Sequence, residues 1–190
     1  MTDCPYSKDL LGWAAMARCD RLSTGGDAWI LDDGEMGYWL RFADRAFTLT
    51  ETNRWGPEEF VMQAADLTDV ERWLTALFGS SIRSYSNFRR ISGAGVIPEG
   101  VNPAYRLQEV DIVKVALVNT SDGQVRVIMG GGLGTSAGDV TKFSWIADAS
   151  LEDLRASYLD PDGLPLFPGL EIIQDPAIRA EVDRLQYWLH

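Results

Sequence analysis

The stretch AWILDDGEMGYWLRFADRAFTLT, residues 28–50, decides the fold class. Three short apolar and aromatic runs, Ala28 to Leu31, Gly37 to Phe42 and Ala46 to Thr50, are separated by turn-forming pieces, of which Asp32-Asp33-Gly34 is the clearest. Asp-Gly between two such runs is a strong hairpin signal, and strands joined by connections this short pair antiparallel. Residues 28–50 therefore predict a β-meander. Glu59 to Gln63 extends it, with Phe60 and Met62 alternating with Val61 and polar neighbours, although Pro57 weakens its start.

Upstream, Ser7 is the expected N-cap of a helix from Lys8 to Arg21, whose apolar stripe is Leu10, Leu11, Ala14, Ala15 and Ala17, ended by Ser23-Thr24-Gly25-Gly26. Downstream, Thr68 and Glu71 have capping-box spacing, and Val70, Trp73, Leu74, Leu77 and Phe78 line one helical face up to Gly79. Ser80 to Asn102 reads as a long irregular connection carrying Arg83, Arg89 and Arg90. A hairpin is expected from Asp111–Asn119 and Gln124–Met129, turning at Ser121-Asp122-Gly123. A glycine loop, Gly130 to Gly138, then leads into a predicted strand, Val140–Ala147. Ser150, with Asp153 three residues on, caps a helix through Tyr158. Asp175 and Pro176 open a final helix with Ile178, Val182, Leu185 and Trp188 on one face. Strands and helices do not alternate regularly, so the expected class is α+β: a single domain over residues 1–190, with a largely antiparallel β-sheet and N-terminal, central and C-terminal helices.

The chain has 190 residues, and 46% are hydrophobic, enough to fill one sizeable core. Its 17 Lys and Arg against 28 Asp and Glu leave a formal net charge of −11, which argues against nonspecific attraction to phosphate backbones or anionic lipid. No apolar run approaches the roughly 20 residues of a membrane span, and nothing at the N-terminus reads as an export signal. Cys4 and Cys19 are too few to form a disulfide framework, which points to a reducing cytoplasm. His190 is the sole histidine and the last residue, so an internal Ser-His-Asp triad and a histidine metal site are unavailable.

Gly132-Leu133-Gly134-Thr135-Ser136-Ala137 matches the loose dinucleotide fingerprint. That chemistry needs a helix N-terminus facing the phosphates, whereas Asp139 to Trp145 reads as a strand opened by an acid, and no Gly-Lys-Ser or Gly-Lys-Thr follows. Three readings of the loop stand: a mobile hairpin, a segment inserted into a partner, and a nucleotide site. The carboxylate neighbours Asp32-Asp33, Glu58-Glu59 and Asp160-Pro161-Asp162 lack EF-hand spacing, and Asp160-Pro161-Asp162-Gly163 is turn chemistry. Trp55, beside Gly56-Pro57, is the tryptophan best placed to anchor an interface, and Cys19 is expected to pack inside the first helix. No catalytic, cofactor-binding or metal-ligating residue is assigned.

Two segments, VERWLTALFGSSIR at 70–83 and SYLDPDGLPLF at 157–167, carry a resemblance to the immunity protein 61 family of actinobacterial polymorphic-toxin systems. The resemblance implies a cytoplasmic, noncatalytic inhibitor without cofactors. It would bind a secreted toxin, an NAD glycohydrolase, as a 1:1 heterodimer and obstruct its NAD cleft. An acidic body suits a cleft built to attract phosphates. The segments expected to enter or rim that cleft are the loop Gly131, Gly132, Leu133, Gly134, Thr135 and Ser136, and the acidic pieces Asp32, Asp33, Asp160 and Asp162. Two other readings stay open: a small enzyme or nucleotide-binding module using Gly130–Gly138, and an accessory chaperone of a secreted protein.

Overall fold

The computed structural model describes residues 4–54, 56–86, 88, 91, 100–130 and 137–167. Within them the chain forms an eight-stranded antiparallel sheet and four helices, the α+β class expected from the meander. The strands are β1 Arg21–Gly25, β2 Ala28–Asp32, β3 Met36–Ala43, β4 Ala46–Asn53, β5 Glu59–Ala64, β6 Tyr105–Asp111, β7 Lys114–Asn119 and β8 Val125–Gly130. The helices are α1 Lys8–Met16, α2 Leu67–Tyr85, α3 Ala137–Ile146 and α4 Leu151–Leu159. The first five strands follow one another across the sheet. After α2 the chain crosses to the far edge and returns, giving the order β1-β2-β3-β4-β5-β8-β7-β6.

Period-2 alternation assigns the faces. Leu31 pairs with Tyr38, Leu40 with Leu49, Leu49 with Met62, Met62 with Met129 and Val115 with Met129, all nearly or wholly buried beneath the helices. Full burial of each aliphatic side chain in this row is worth about 1.5–3 kcal/mol. The opposite face is polar where the meander exposes it: Arg41 donates to Glu58 at 2.6 and 2.9 Å, and the Thr50 hydroxyl donates to the same carboxylate at 2.6 Å. These hydrogen bonds hold the Glu58 carboxyl below its ordinary range.

Several expectations need correction. The first helix stops at Met16, because Arg18 takes a positive φ of 63° and the Cys19 amide bonds back to the Ala14 carbonyl. Residues 17–20 form the corner, and the stretch expected to end the helix becomes β1, an exposed edge strand whose pattern lacks the alternation that reveals a strand. Cys19 is buried at the corner after α1, not inside the helix. Asp66, not Thr68, caps α2, its carboxylate accepting from the Thr68 amide at 2.9 Å. Glu71 is used elsewhere, accepting the Ser7 amide at 2.7 Å to join α2 to the start of α1. Gly79 does not end α2, which continues to Tyr85. The expected strand Asp111–Asn119 is two strands and a turn, since Ile112 and Val113 lie between β6 and β7.

Residues 140–146 form the helix α3, not a strand. Val, Thr, Phe and Trp favour strands individually, but Val140, Phe143 and Ile146 are spaced by three and all buried, which is helical packing. The Ser150 expectation holds: its hydroxyl accepts the Asp153 amide at 2.9 Å at the start of α4. Trp55, Arg89, Arg90, the loop residues 131–136 and the final helix at 175–188 lie outside the described residues.

Candidate functional site

Antiparallel pairing brings separate turns to one end of the sheet. The registers Asp32↔Gly37, Met36↔Asn53, Glu51↔Glu59, Gly130↔Lys114 and Asp111↔Lys114 place there the β2–β3 turn, the β4–β5 connection, the end of β8 and the β6–β7 turn. Lys114 sits with its ammonium 4.6 Å from the Phe60 ring centroid, tying β7 to β5 across β8. Between them Gly130 lies so close to β5 that a Cβ would collide with the Phe60 carbonyl oxygen. This is the point from which the glycine loop departs.

Asp32 and Asp33 are first of all turn builders. Asp32 Oδ1 accepts the Gly34 amide at 3.0 Å, and Asp33 Oδ1 accepts the amides of Glu35 and Met36 at 2.8 and 2.7 Å. Gly34, at φ 92°, supplies the left-handed backbone the turn requires. Asp33 and Glu35 are exposed, and Arg54 pairs with Glu35 at 2.9 Å while Arg21 stands 3.7 Å from Asp32, so this corner presents carboxylates outward that are partly matched by two exposed arginines.

Three helices deliver their C-termini to the same end. The Trp13 indole donates to the Thr75 carbonyl at 2.9 Å, and the Arg18 guanidinium lies 4.5 Å from the Tyr85 ring centroid, so α1 runs beside α2 in the same direction. Arg72 donates to the Ala149 carbonyl at 2.8 Å near the start of α4, and Gly79 abuts the Tyr158 ring near its end, so α4 does likewise. The buried Arg83 then donates to the carbonyls of Ser157 at 3.3 Å, Tyr158 at 3.0 Å, Pro161 at 2.8 Å and also Asp160. One guanidinium thereby meets the C-terminal carbonyls that α4 leaves over. The sequence places Arg83 in an irregular connection with Arg89 and Arg90; it lies instead in the last turn of α2, as an internal clamp. Asp160 Oδ1 accepts the amides of Asp162 and Leu164 at 2.8 and 3.2 Å, which fixes the turn and leaves Asp162 exposed.

Burial raises the titratable groups beneath this end, and the nearby carboxylates raise them further. Burial, then Asp33, Asp32 and Asp20, push the Cys19 thiol up to about 12. Burial, Glu51, Cys19 and Asp33 push the Tyr38 hydroxyl well above its ordinary value. Burial raises the Glu51 carboxyl, and Glu59 and Asp139 raise it further. The helix C-termini add partial negative charge to the same region, partly offset at α4 by Arg83. The structure thus gathers Asp32, Asp33, Asp160 and Asp162 at one acidic pole. Residues 131–136 lie outside the described region, but Gly130 and Asp139, on either side of them, belong to this pole. The strand–glycine loop–helix order revises the sequence argument, since a helix does follow the loop. Phosphate would nevertheless meet Asp139 in its first turn, with Glu51 and Glu59 close enough to interact.

The model of immunity protein 61 matches residues 12–166, well over half of the chain. The chain belongs to the immunity protein 61 family. The family makes it an immunity protein, an antitoxin by class. Relatives named immunity factor for TNT, from Mycobacterium tuberculosis, and immunity factor for TNT homolog, from Mycobacterium bovis, are each 26% identical over 137 residues, covering 70% of this chain and 73% of theirs. The solved structure of Rv3902c from M. tuberculosis shares the fold, with a TM-score of 0.74 at 24% identity, covering 88% of this chain and 96% of that one. The immunity protein 61 match contains every strand among the described residues and runs from within α1 to just past the Asp160 turn.

Two groups of this family member escaped the sequence reading. At the opposite end of the sheet, buried Asp69 accepts from Arg72 at 2.7 Å and from Arg126 at 2.8 Å, and the Tyr105 hydroxyl donates to Asp148 at 2.8 Å. Burial raises the Asp69 carboxyl against the opposing pull of the two arginines, and the network ties α2 to β8. Asp69 and Arg126 are 57 residues apart, so no local pattern could announce it. The second group, at the β6–β7 tip, was hidden inside an apparently continuous strand. Among the described residues no cluster of three or more His, Cys, Asp or Glu could hold a metal ion, and no helix is long and apolar enough to cross a membrane.

Proposed function

We propose that this protein is a noncatalytic inhibitor that binds a cognate secreted toxin through its acidic pole. The toxin is an NAD glycohydrolase, the complex is a 1:1 heterodimer in the cytoplasm, and binding obstructs the NAD cleft. One observation carries the reading: the β2–β3 turn, the Asp160–Gly163 turn and both flanks of the glycine loop, distant in sequence, converge on one acidic end. A cleft built to attract a dinucleotide is electropositive, so an acidic pole is its electrostatic complement. The names of the relatives, immunity factors for TNT, support a toxin of that kind.

The direct test is inhibition of NAD hydrolysis by the toxin domain encoded by the neighbouring gene, with the association rate followed against salt. The on-rate should fall as ionic strength rises past the physiological range, where screening acts within about 8 Å. A salt-independent on-rate would remove the acidic pole from recognition. Gly132→Phe with Gly134→Phe should weaken inhibition at unchanged folding, and inhibition that survives would remove the glycine loop. Titration calorimetry with NAD alone should give no heat; binding would favour the nucleotide-module reading instead.

A further inference from the structure

The β6–β7 turn departs from the chemistry used by the neighbouring hairpins. Asp111 pairs with Lys114, so Ile112 and Val113 are the two central residues of the loop. Two-residue hairpin loops favour residues that tolerate positive φ, chiefly Gly, Asn and Asp. The turn after β1 uses Gly26 at φ 64°, that after β3 uses Asp44 and Arg45 at 52° and 62°, and that after β7 uses Gly123 at 71°. Ile112 and Val113 adopt no positive φ, and both are β-branched and stiff at χ1. The turn is closed by Asp111, whose carboxylate accepts the Val113 amide at 2.8 Å, together with the register shift between Glu109 and Asp111. Its backbone makes no demand for aliphatic side chains.

Packing makes none either. Ile112 is 88% exposed, Val113 55% and Val110 48%, so three aliphatic side chains within four residues stand out into solvent. Isolated surface aliphatics are ordinary, but a projecting cluster marks a contact site. Neither turn chemistry nor burial in the fold accounts for these residues.

We propose that the Val110–Val113 tip is a hydrophobic anchor that inserts into an apolar pocket rimmed by basic residues on the toxin; this rests on the function proposed above. Charge and position identify the occupant. The exposed Glu109 and Asp111 flank Val110, and Lys114 after Val113 is turned onto the Phe60 ring at 4.6 Å, so the charges standing out beside the aliphatic residues are acidic and the receiving pocket carries cationic groups at its edge. The tip stands at the same end of the sheet as the Asp32–Glu35 turn, five strand positions away, or about 24 Å at the usual spacing. That span suits one face of a standard protein–protein interface, about 800 Å² per partner. The acidic pole and the anchor have separable tasks, charge governing encounter and the buried anchor governing residence.

The test is Ile112→Ser with Val113→Ser, and separately Val110→Thr, measured by surface plasmon resonance against the active-site-inactivated toxin domain encoded by the neighbouring gene. All three positions are exposed, so melting curves should match the wild type. The double variant should dissociate at least about tenfold faster, with its association rate within about twofold of wild type. Wild-type binding with unchanged dissociation of the variants would overturn the anchor while leaving the proposed function intact. Wild-type protein that does not bind the toxin would overturn both. A wild-type dimer that becomes monomeric in the double variant would show that the tip serves self-association, overturning the anchor.

Discussion

Gly79 and Gly12 should respond in opposite directions to the same substitution. Both are interior helical glycines, and exchanging such a residue for alanine stabilises an unobstructed helix by about 0.8–1 kcal/mol through backbone entropy. At Gly12 in α1 nothing lies within 4 Å of a new Cβ, so Gly12→Ala should collect that gain. At Gly79 in α2 the Cβ would stand 2.6 and 2.8 Å from Cδ1 and Cδ2 of Tyr158 and nearer still to Cγ. The ring has little room to yield, being 5% exposed and packed edge-on against Phe167 with centroids 6.0 Å apart. Overpacking of this kind costs about 1–3 kcal/mol. With the upper value set by three ring atoms, the net effect after the helix gain is about 2 kcal/mol of destabilisation. For a chain of this length that is a fall in Tm of roughly 4–8 °C, against a rise of about 2–4 °C for Gly12→Ala. Thermal melts followed by circular dichroism read both. Tyr158→Leu should make Gly79→Ala less costly in the double variant, because the two share one contact. A Gly79→Ala protein melting at or above the wild type would refute the close α2–α4 contact. With it would go the account of how α4 presents the Asp160 turn.

Three further outcomes follow from the same geometry. Arg83→Met should lower stability by about 2–4 kcal/mol in urea titration, since the carbonyls of Ser157, Tyr158, Asp160 and Pro161 lose one charged donor; a loss below about 1 kcal/mol would refute the clamp. The Glu51 carboxyl is raised in the fold by burial, Glu59 and Asp139, so its charged form carries a penalty. That penalty is absent below the unfolded value near 4.3 and grows as pH rises through the raised folded value, so Glu51→Gln should stabilise by under about 1 kcal/mol at pH 7 and not at pH 4. An equal difference at both pH values would count against it. Iodoacetamide at pH 8 should modify one thiol quickly, the exposed Cys4, while buried Cys19, pushed up to about 12, reacts only after unfolding; two fast equivalents in the native protein would contradict this burial.

Much of the fold was legible because its signals are local. The hairpin dipeptides, the alternation of β3 through β5, the Ser7 and Ser150 caps and the stripe of α2 each act within a few residues. The errors occurred where local preference and tertiary use part. β1 is an edge strand with no alternation to read, and α3 is built from strand-favouring residues whose helical spacing matters more. Ile112 and Val113 look like the middle of a strand because composition cannot show that the chain turns there. Gly79 looks like a helix stop, and only the Tyr158 ring explains its place inside α2.

By itself the sequence determined the α+β class, the net negative charge, the lack of an internal histidine and the acidic turns at Asp32-Asp33 and Asp160–Gly163. Composition, caps and turn residues are enough for those conclusions, since each depends on neighbours along the chain. Only the tertiary structure decided that these turns share one pole, that Arg83 is an internal clamp and that an aliphatic tip projects from the same end. Those facts depend on strand order and helix direction, which join residues as far apart as Arg83 and Pro161, and no local pattern encodes such pairings.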